Sequence, residues 1–217
     1  MALIRVINPN SNVHVTDGLA ASVAGYAVPR RLDIICETLE QGPFGIESQK
    51  DVEQVKLPLL ARMKARPADA YVIACYSDPG LALCRAEIDR PVFGIMESGL
   101  ATALARGDRF GVIALSEIAI KRHLPAIRAH GFDDRLAAER AVGTSVAESA
   151  DEAAFDGLLA AGRTLVDQDG ADVIVLGCAG MARHRKGLEA ALGCPVIDPT
   201  QAAVSMAIGT VLDGTDG

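Results

Sequence analysis

Tryptophan is absent from this sequence of 217 residues, and three tyrosines and five phenylalanines supply all of its aromatic character. So few rings leave no stacking platform for single-stranded nucleic acid. Basic residues are also in the minority, 21 lysines and arginines against 28 aspartates and glutamates, for a formal net charge of −7. Phosphate binding needs a clustered basic face that can release counterions, and the longest basic cluster, RHRK at 183–186, reads as a solvated loop or helix start. We therefore expect no nucleic-acid partner. No apolar stretch approaches the ~18 residues of a membrane-spanning helix, so no membrane partner is expected either. The N-terminus opens directly on a strand-like run at 2–7 with Arg5 as its only charge, which reads as a soluble, cytoplasmic protein without a cleaved signal peptide.

Cysteine pairs at CxxC spacing and close Cys/His clusters are missing, so no metal site is expected. The cysteines Cys36, Cys75, Cys84, Cys178 and Cys194 are odd in number and match no disulfide framework, which reads as reduced thiols. GxGxxG, P-loop and GxSxG patterns are absent, leaving nucleotide binding and serine hydrolysis without a local signature. A small molecule is the partner that survives these exclusions.

What is present is a chain half of whose residues are hydrophobic, with short apolar runs alternating with longer alanine-rich amphipathic segments. The runs predict strands at 3–7, 32–36, 70–74, 92–95, 110–114, 173–176 and 195–197, with a weaker one at 140–143. Helices are expected over 13–25, 48–66, 81–88, 99–105, 118–129, 150–169, 183–192 and 200–212. Such alternation predicts an α/β fold whose small parallel sheets are covered on both faces. Apolar helix faces beyond those needed for such packing lead us to expect a homo-oligomer.

An internal repeat sharpens this reading. ADAYVIAC, ending at Cys75, aligns with GADVIVLGC, ending at Cys178, and at nearly equal intervals downstream RPVFGI answers CPVIDP. The repeat predicts two pseudo-symmetric Rossmann-like lobes, the first of 1–97 plus 199–217 and the second of 98–198. Ligands of open α/β sheets bind beyond the carboxyl ends of the strands. If the lobes face one another, Cys75 and Cys178 enter one inter-lobe cleft from opposite sides, where two bases could flank one carbon. The other three cysteines stand at no repeated strand end and read as packing residues.

Four motifs, VINPNSN at 6–12, GPFGIES at 42–48, IACYSDPG at 73–80 and VLGCAGMA at 175–182, with the ending PVIDPTQAA, occur in order over nearly the whole chain. In these the chain resembles the aspartate/glutamate/hydantoin racemase superfamily, most closely its hydantoin racemase-like branch. The resemblance implies a cofactor-independent racemase. One cysteine, as thiolate, would remove the proton from a carbon next to a carbonyl, and the other, as thiol, would return one to the opposite face. A decarboxylase or maleate isomerase-like member of the superfamily, or a binding module without turnover, are the alternatives.

A cysteine of ordinary pKa, ~8.5, is mostly protonated at neutral pH, and backbone N–H groups or a helix N-terminus can lower that value. Each cysteine is expected just before a helix, so depressed thiol pKa values are expected. Backbone N–H groups of Tyr76, Ser77, Ala179 and Gly180 are candidate donors to the developing oxyanion, with Gly180 permitting close approach or a positive φ. Asn8, after the first strand, is a candidate for a substrate carbonyl or amide. The resemblance places Pro43 and Phe44 in a loop that closes over the substrate. It also leads to a pair of threonines after the strand that opens the second lobe. Here IALSE at 113–117 stands instead, with Ser116 as the candidate hydroxyl. His14, His123, His130 and His184 are scattered and read as solvated or satisfied side chains.

Overall fold

A computed structural model describes residues 1–213. The segment expected to return to the first lobe is thus described as far as Asp213, and 214–217 lie outside the described residues. In the first half β1 (Ala2–Asn8), α1 (Val13–Val23), β2 (Leu32–Thr38), α2 (Gln49–Ala65), β3 (Ala70–Ile73), α3 (Leu81–Glu87) and β4 (Val92–Gly94) lead into α4 (Ile95–Leu104). The second half repeats the pattern with β5 (Phe110–Ala114), α5 (Glu117–Ala129), β6 (Leu136–Ala141), α6 (Phe155–Asp167), β7 (Val173–Leu176), α7 (Arg185–Leu192), β8 (Val196–Ile197) and α8 (Pro199–Asp213). Two four-stranded sheets result, ordered β2-β1-β3-β4 and β6-β5-β7-β8, with every pairing parallel. The strand order is the same in both, as the repeat predicts.

The continuous apolar runs are the strands covered on both faces: every residue of β3, β5 and β7 is buried. Each fully buried Val, Ile or Leu in them contributes roughly 1.5–3 kcal/mol. One apolar core joins the sheets, running from Ile4, Val6, Val72 and Ala74 to Ile113, Leu115, Leu176 and Cys178. Helix α8 crosses back to pack on β1, β3 and β4 and against α4. Among the described residues no helix is long and apolar enough to cross a membrane.

Three elements depart from the expected boundaries by four residues or more. Helix α4 begins at Ile95, directly after β4, rather than at 99. Its first N–H groups are capped from another loop, since the Asp78 carboxylate accepts from Met96 N and Glu97 N, both at 3.0 Å. Such a cap is invisible to local sequence patterns. Gly94 makes room for it: a Cβ there would stand 2.3 Å from the Asp78 carboxylate. Strand β6 covers Leu136–Ala141 rather than 140–143, because it is an edge strand whose Glu139 and Arg140 break the apolar pattern. Arg140 pairs outward with Asp169 at 2.6 and 2.9 Å. Helix α6 begins at Phe155 rather than 150, after two 3₁₀ turns at Glu148–Ala150 and Glu152–Ala154.

Gly177 links the core to the end of β7. Its N–H donates to Ile113 O at 2.8 Å, and a Cβ would come within 2.6 Å of that same carbonyl oxygen. Backbone cannot yield as a flexible side chain can, so Gly177→Ala is expected to cost about 1–3 kcal/mol through overpacking. A urea-unfolding midpoint equal to that of the unchanged protein would contradict this.

Candidate active site

The two cysteines occupy equivalent backbone positions. At the end of β3 the Ala74 N–H donates to Ile7 O (2.9 Å), and at the end of β7 the Gly177 N–H donates to Ile113 O (2.8 Å); the cysteine is the next residue in each case. Each then opens a turn closed by its own carbonyl, Cys75 O accepting from Asp78 N (2.9 Å) and Cys178 O from Met181 N (3.2 Å). The N–H two residues on is turned to the sulfur in both, Ser77 N toward Cys75 and Gly180 N toward Cys178 Sγ at 3.4 Å. The repeat seen in the sequence is therefore a repeat of hydrogen bonds.

Both cysteines line one narrow cleft, walled by residues of both halves. Ala74, Tyr76 and Ser77 come with Cys75; Gly177 and Ala179 come with Cys178; Leu115, Ala119, Arg122, His123 and Val146 close it from the second half and Asn10, Val15 and Ile46 from the first. Such a mostly apolar cleft with a few convergent polar groups suits a small ligand.

Burial dominates the electrostatics and overturns the expectation of depressed thiol pKa values. It pushes the Cys75 thiol up to about 12, with Cys178 and Asp78 adding to the rise and the Ser77 N–H and Arg122 opposing it. Cys178 is raised as well by burial, against the pull of the Gly180 N–H and Ser149. The expected helix N-terminus is present at only one of them. Cys178 caps the 3₁₀ segment Ala179–His184, whereas α3 starts at Leu81 with Gly80 as its cap, beyond the turn that follows Cys75. Asp78, half-buried three residues beyond Cys75, is pushed up to about 7 by desolvation despite its two N–H donors.

Ser149 is the third group at Cys178, its Oγ 3.7 Å from the sulfur. The hydroxyl proton is directed at Val146 O (2.7 Å), which leaves the oxygen free to accept from the Cys178 S–H. Rotation would aim that proton at a thiolate, so one hydroxyl serves both protonation states. Gly180 makes the approach possible, since a Cβ there would stand 2.5 Å from Ser149 Oγ. Close approach, not a positive φ, is what this glycine supplies, for its φ is not among the positive ones.

Several candidate ligand residues lie off the cleft wall or are held by local hydrogen bonds. Asn8 is fully buried, and its amide is consumed locally. Nδ2 faces Asn10 Oδ1 (2.9 Å), Asn12 O (3.1 Å) and Thr16 Oγ1 (3.1 Å), while Oδ1 accepts from Asn10 N (3.2 Å). It clamps the turn and Asn10 reaches the cleft wall instead. Ser116 caps α5, its Oγ accepting from Ala119 N at 3.2 Å, and the neighbouring Leu115 lines the cleft. Pro43 is not on the wall; its carbonyl accepts from Ser11 N (2.9 Å), Phe44 is exposed, and Ile46 is the residue of that loop that enters. Tyr76, Ser77 and Ala179 line the wall, whereas Gly180 sits behind Cys178.

The residues missed by the sequence reading come chiefly from α5. Ala119, His123 and Ile127, four apart, form its buried stripe, and that periodicity is the signal that could have turned His123 inward. His123 Nδ1 lies 2.8 Å from Glu139 Oε2, both side chains almost wholly buried, which ties α5 to β6 behind the cleft. The Tyr76 ring packs edge-on to His123 at 4.9 Å. His184 and the cysteines Cys36, Cys84 and Cys194 are not on the cleft wall.

This geometry has counterparts among known proteins. The family model described as Asp/Glu/Hydantoin racemase matches residues 4–207. The chain is 34% identical to the hydantoin racemase of Paenarthrobacter aurescens, over 97% of this chain and 92% of that one. It is 36% identical to the hydantoin racemase of Pseudomonas sp. (strain NS671), over 97% and 86%. The allantoin racemase from Klebsiella pneumoniae superposes with a TM-score of 0.93 at 28% identity, covering 99% of this chain and 89% of its own. With the family model spanning nearly the full length and both hydantoin racemases aligned over most of each chain, the chain belongs to the Asp/Glu/hydantoin racemase family.

Proposed function

We propose that this protein is a cofactor-independent racemase acting by two-base proton transfer at a ring carbon next to a carbonyl, with hydantoin-type cyclic ureides as its substrate class. The observation that carries the reading is the equivalence of Cys75 and Cys178, placed by matching backbone hydrogen bonds at the ends of β3 and β7 on one cleft. The names of the similar proteins, hydantoin racemase and allantoin racemase, support the substrate class.

In the proposed reaction one sulfur, as thiolate, takes the proton from the stereogenic carbon. The electron pair of the broken C–H bond moves into the adjacent carbonyl as an enolate oxygen. The opposite thiol then delivers its proton to the other face, the carbonyl re-forms, and thiol and thiolate have exchanged roles. Atoms and charge balance without an oxidant or reductant. The like-charge interaction between the cysteines opposes ionisation of both, which favours the thiol/thiolate pair that this chemistry needs. The reading carries with it a cytoplasmic small-molecule enzyme of two lobes, 1–97 with the C-terminal segment from 199, and 98–198, that assembles as a homo-oligomer.

Incubation with single enantiomers of 5-alkylhydantoins, allantoin, aspartate and glutamate, and with maleate, followed by chiral separation, tests the class. Loss of optical purity at unchanged mass is expected for the cyclic ureides, with one deuterium gained per turnover in heavy water. Release of carbon dioxide from an added malonate derivative, or conversion of maleate, without any loss of ureide chirality would overturn it.

A further inference from the structure

Arg122 moves no proton in the reaction just described and only favours the Cys75 thiolate through its charge, yet it stands at the junction of two cavities. It lines the cysteine cleft, and with Ser77 it also lines an adjoining pocket of about 580 Å³ between α2, α3 and α5. Its Nε and Nη1 are buried without any hydrogen-bond partner, and among the described residues no carboxylate forms a salt bridge with it, Asp51 acting on it only through space. Among the described residues it is the one arginine whose buried nitrogens lack a partner. A buried guanidinium nitrogen left unpaired in an acidic protein is costly, and a cleft is where a ligand can supply the missing acceptor.

The chemistry of the adjoining pocket indicates what kind of acceptor. Lys56 and Lys121 line it along with Arg122, and Lys56 is already paired with Glu53. Its one acidic side chain, Asp78, has both oxygens occupied by Met96 N and Glu97 N. With Lys56 matched by Glu53, Lys121 and Arg122 outnumber that one carboxylate, and the net charge facing this space is positive. Of the three guanidinium nitrogens Nη2 is the one outside the buried set, and each bidentate edge of the group combines Nη2 with Nε or Nη1. A carboxylate meeting either edge would satisfy one of the two buried nitrogens.

We infer that Arg122 and the pocket beside it form an anion subsite, so that the preferred substrates are ring compounds whose substituent on the reacting carbon ends in a carboxylate. This rests on the racemase reading for its ring but not for its charge preference. The probes are 5-(2-carboxyethyl)hydantoin and its isosteric amide, 5-(2-carbamoylethyl)hydantoin. Calorimetric titration is expected to give at least about a tenfold tighter Kd for the acid, the scale of a charge-assisted hydrogen bond. The same preference is expected in kcat/KM for deuterium incorporation. Arg122→Gln should bring the acid-to-amide ratio in Kd to near one, while Arg122→Lys, which keeps the charge, should retain part of it. Equal binding of acid and amide by the unchanged protein, or no measurable binding of the acid, would overturn the subsite. So would an Arg122→Gln change that weakens both probes equally, which would put Arg122 on the ring itself. If the acid binds preferentially but neither probe exchanges its proton, the racemase reading falls and the subsite stands.

Discussion

Serine in place of either Cys75 or Cys178 is expected to lower racemisation by about a thousandfold or more, because a hydroxyl supplies neither the base nor the acid and such groups contribute roughly 10²–10⁴ each. The informative part is what each variant keeps. With Cys178 alone able to act as base, the Cys75→Ser protein should still exchange the proton of the enantiomer whose C–H faces Cys178. The Cys178→Ser protein should exchange the other enantiomer. Exchange without inversion, measured by mass spectrometry in heavy water on each pure enantiomer, is thus expected to be complementary between the variants. Cys178 is buried, Cys75 is half-buried and both occupy the same kind of turn, so the substitution removes one atom's chemistry with little change in volume. Racemisation by either variant within tenfold of the unchanged protein would exclude a two-base mechanism, and exchange of the same enantiomer by both would place the cysteines on one face.

The positions of these cysteines were legible in the sequence because the repeat writes the same local structure twice. An apolar strand, one more ladder bond and then cysteine recur at Ile73–Cys75 and Leu176–Cys178, and a periodic pattern of this kind survives without tertiary information. What was not legible depends on contacts between distant segments. The first turn of α4 is capped by Asp78 from another loop, and edge strand β6 hides its apolar pattern behind Glu139 and Arg140. The site followed the same division. Cys75, Cys178, Tyr76, Ser77 and Ala179 are fixed by the strand ends. Arg122, His123, Val146 and Ser149 reach the cleft or its cysteines only because α5 and the loop after β6 fold over it. Asn8 and Ser116 are polar groups at strand ends, as a binding residue would be. In both the backbone claims the side chain first, which composition alone cannot distinguish.

The rate should also climb steeply with pH, and the raised thiol pKa values fix the sign. The proposed chemistry needs one thiolate in the free enzyme. Burial moves Cys75 up to about 12 and moves Cys178 in the same direction, so at neutral pH only a small fraction carries the charge. Below its pKa a thiol gains about tenfold in thiolate per pH unit, and kcat/KM reports the ionisation of the free enzyme. Between pH 6.5 and 8.5 kcat/KM is therefore expected to rise by close to a hundredfold, without a plateau below pH 8.5 and without a descending limb. The second thiol ionises later still, because the first thiolate repels it. Asp78 should leave a mark on this profile. Its carboxyl ionises near 7 and its charge pushes Cys75 further up, so the slope should be shallower across pH 7 than above pH 8. Asp78→Asn should straighten that inflection while leaving the alkaline rise in place. Subsaturating initial rates of racemisation at constant ionic strength give the measurement. A plateau reached by pH 7.5 would mean that the Ser77 and Gly180 N–H groups outweigh burial and that the thiolate is already formed at neutral pH.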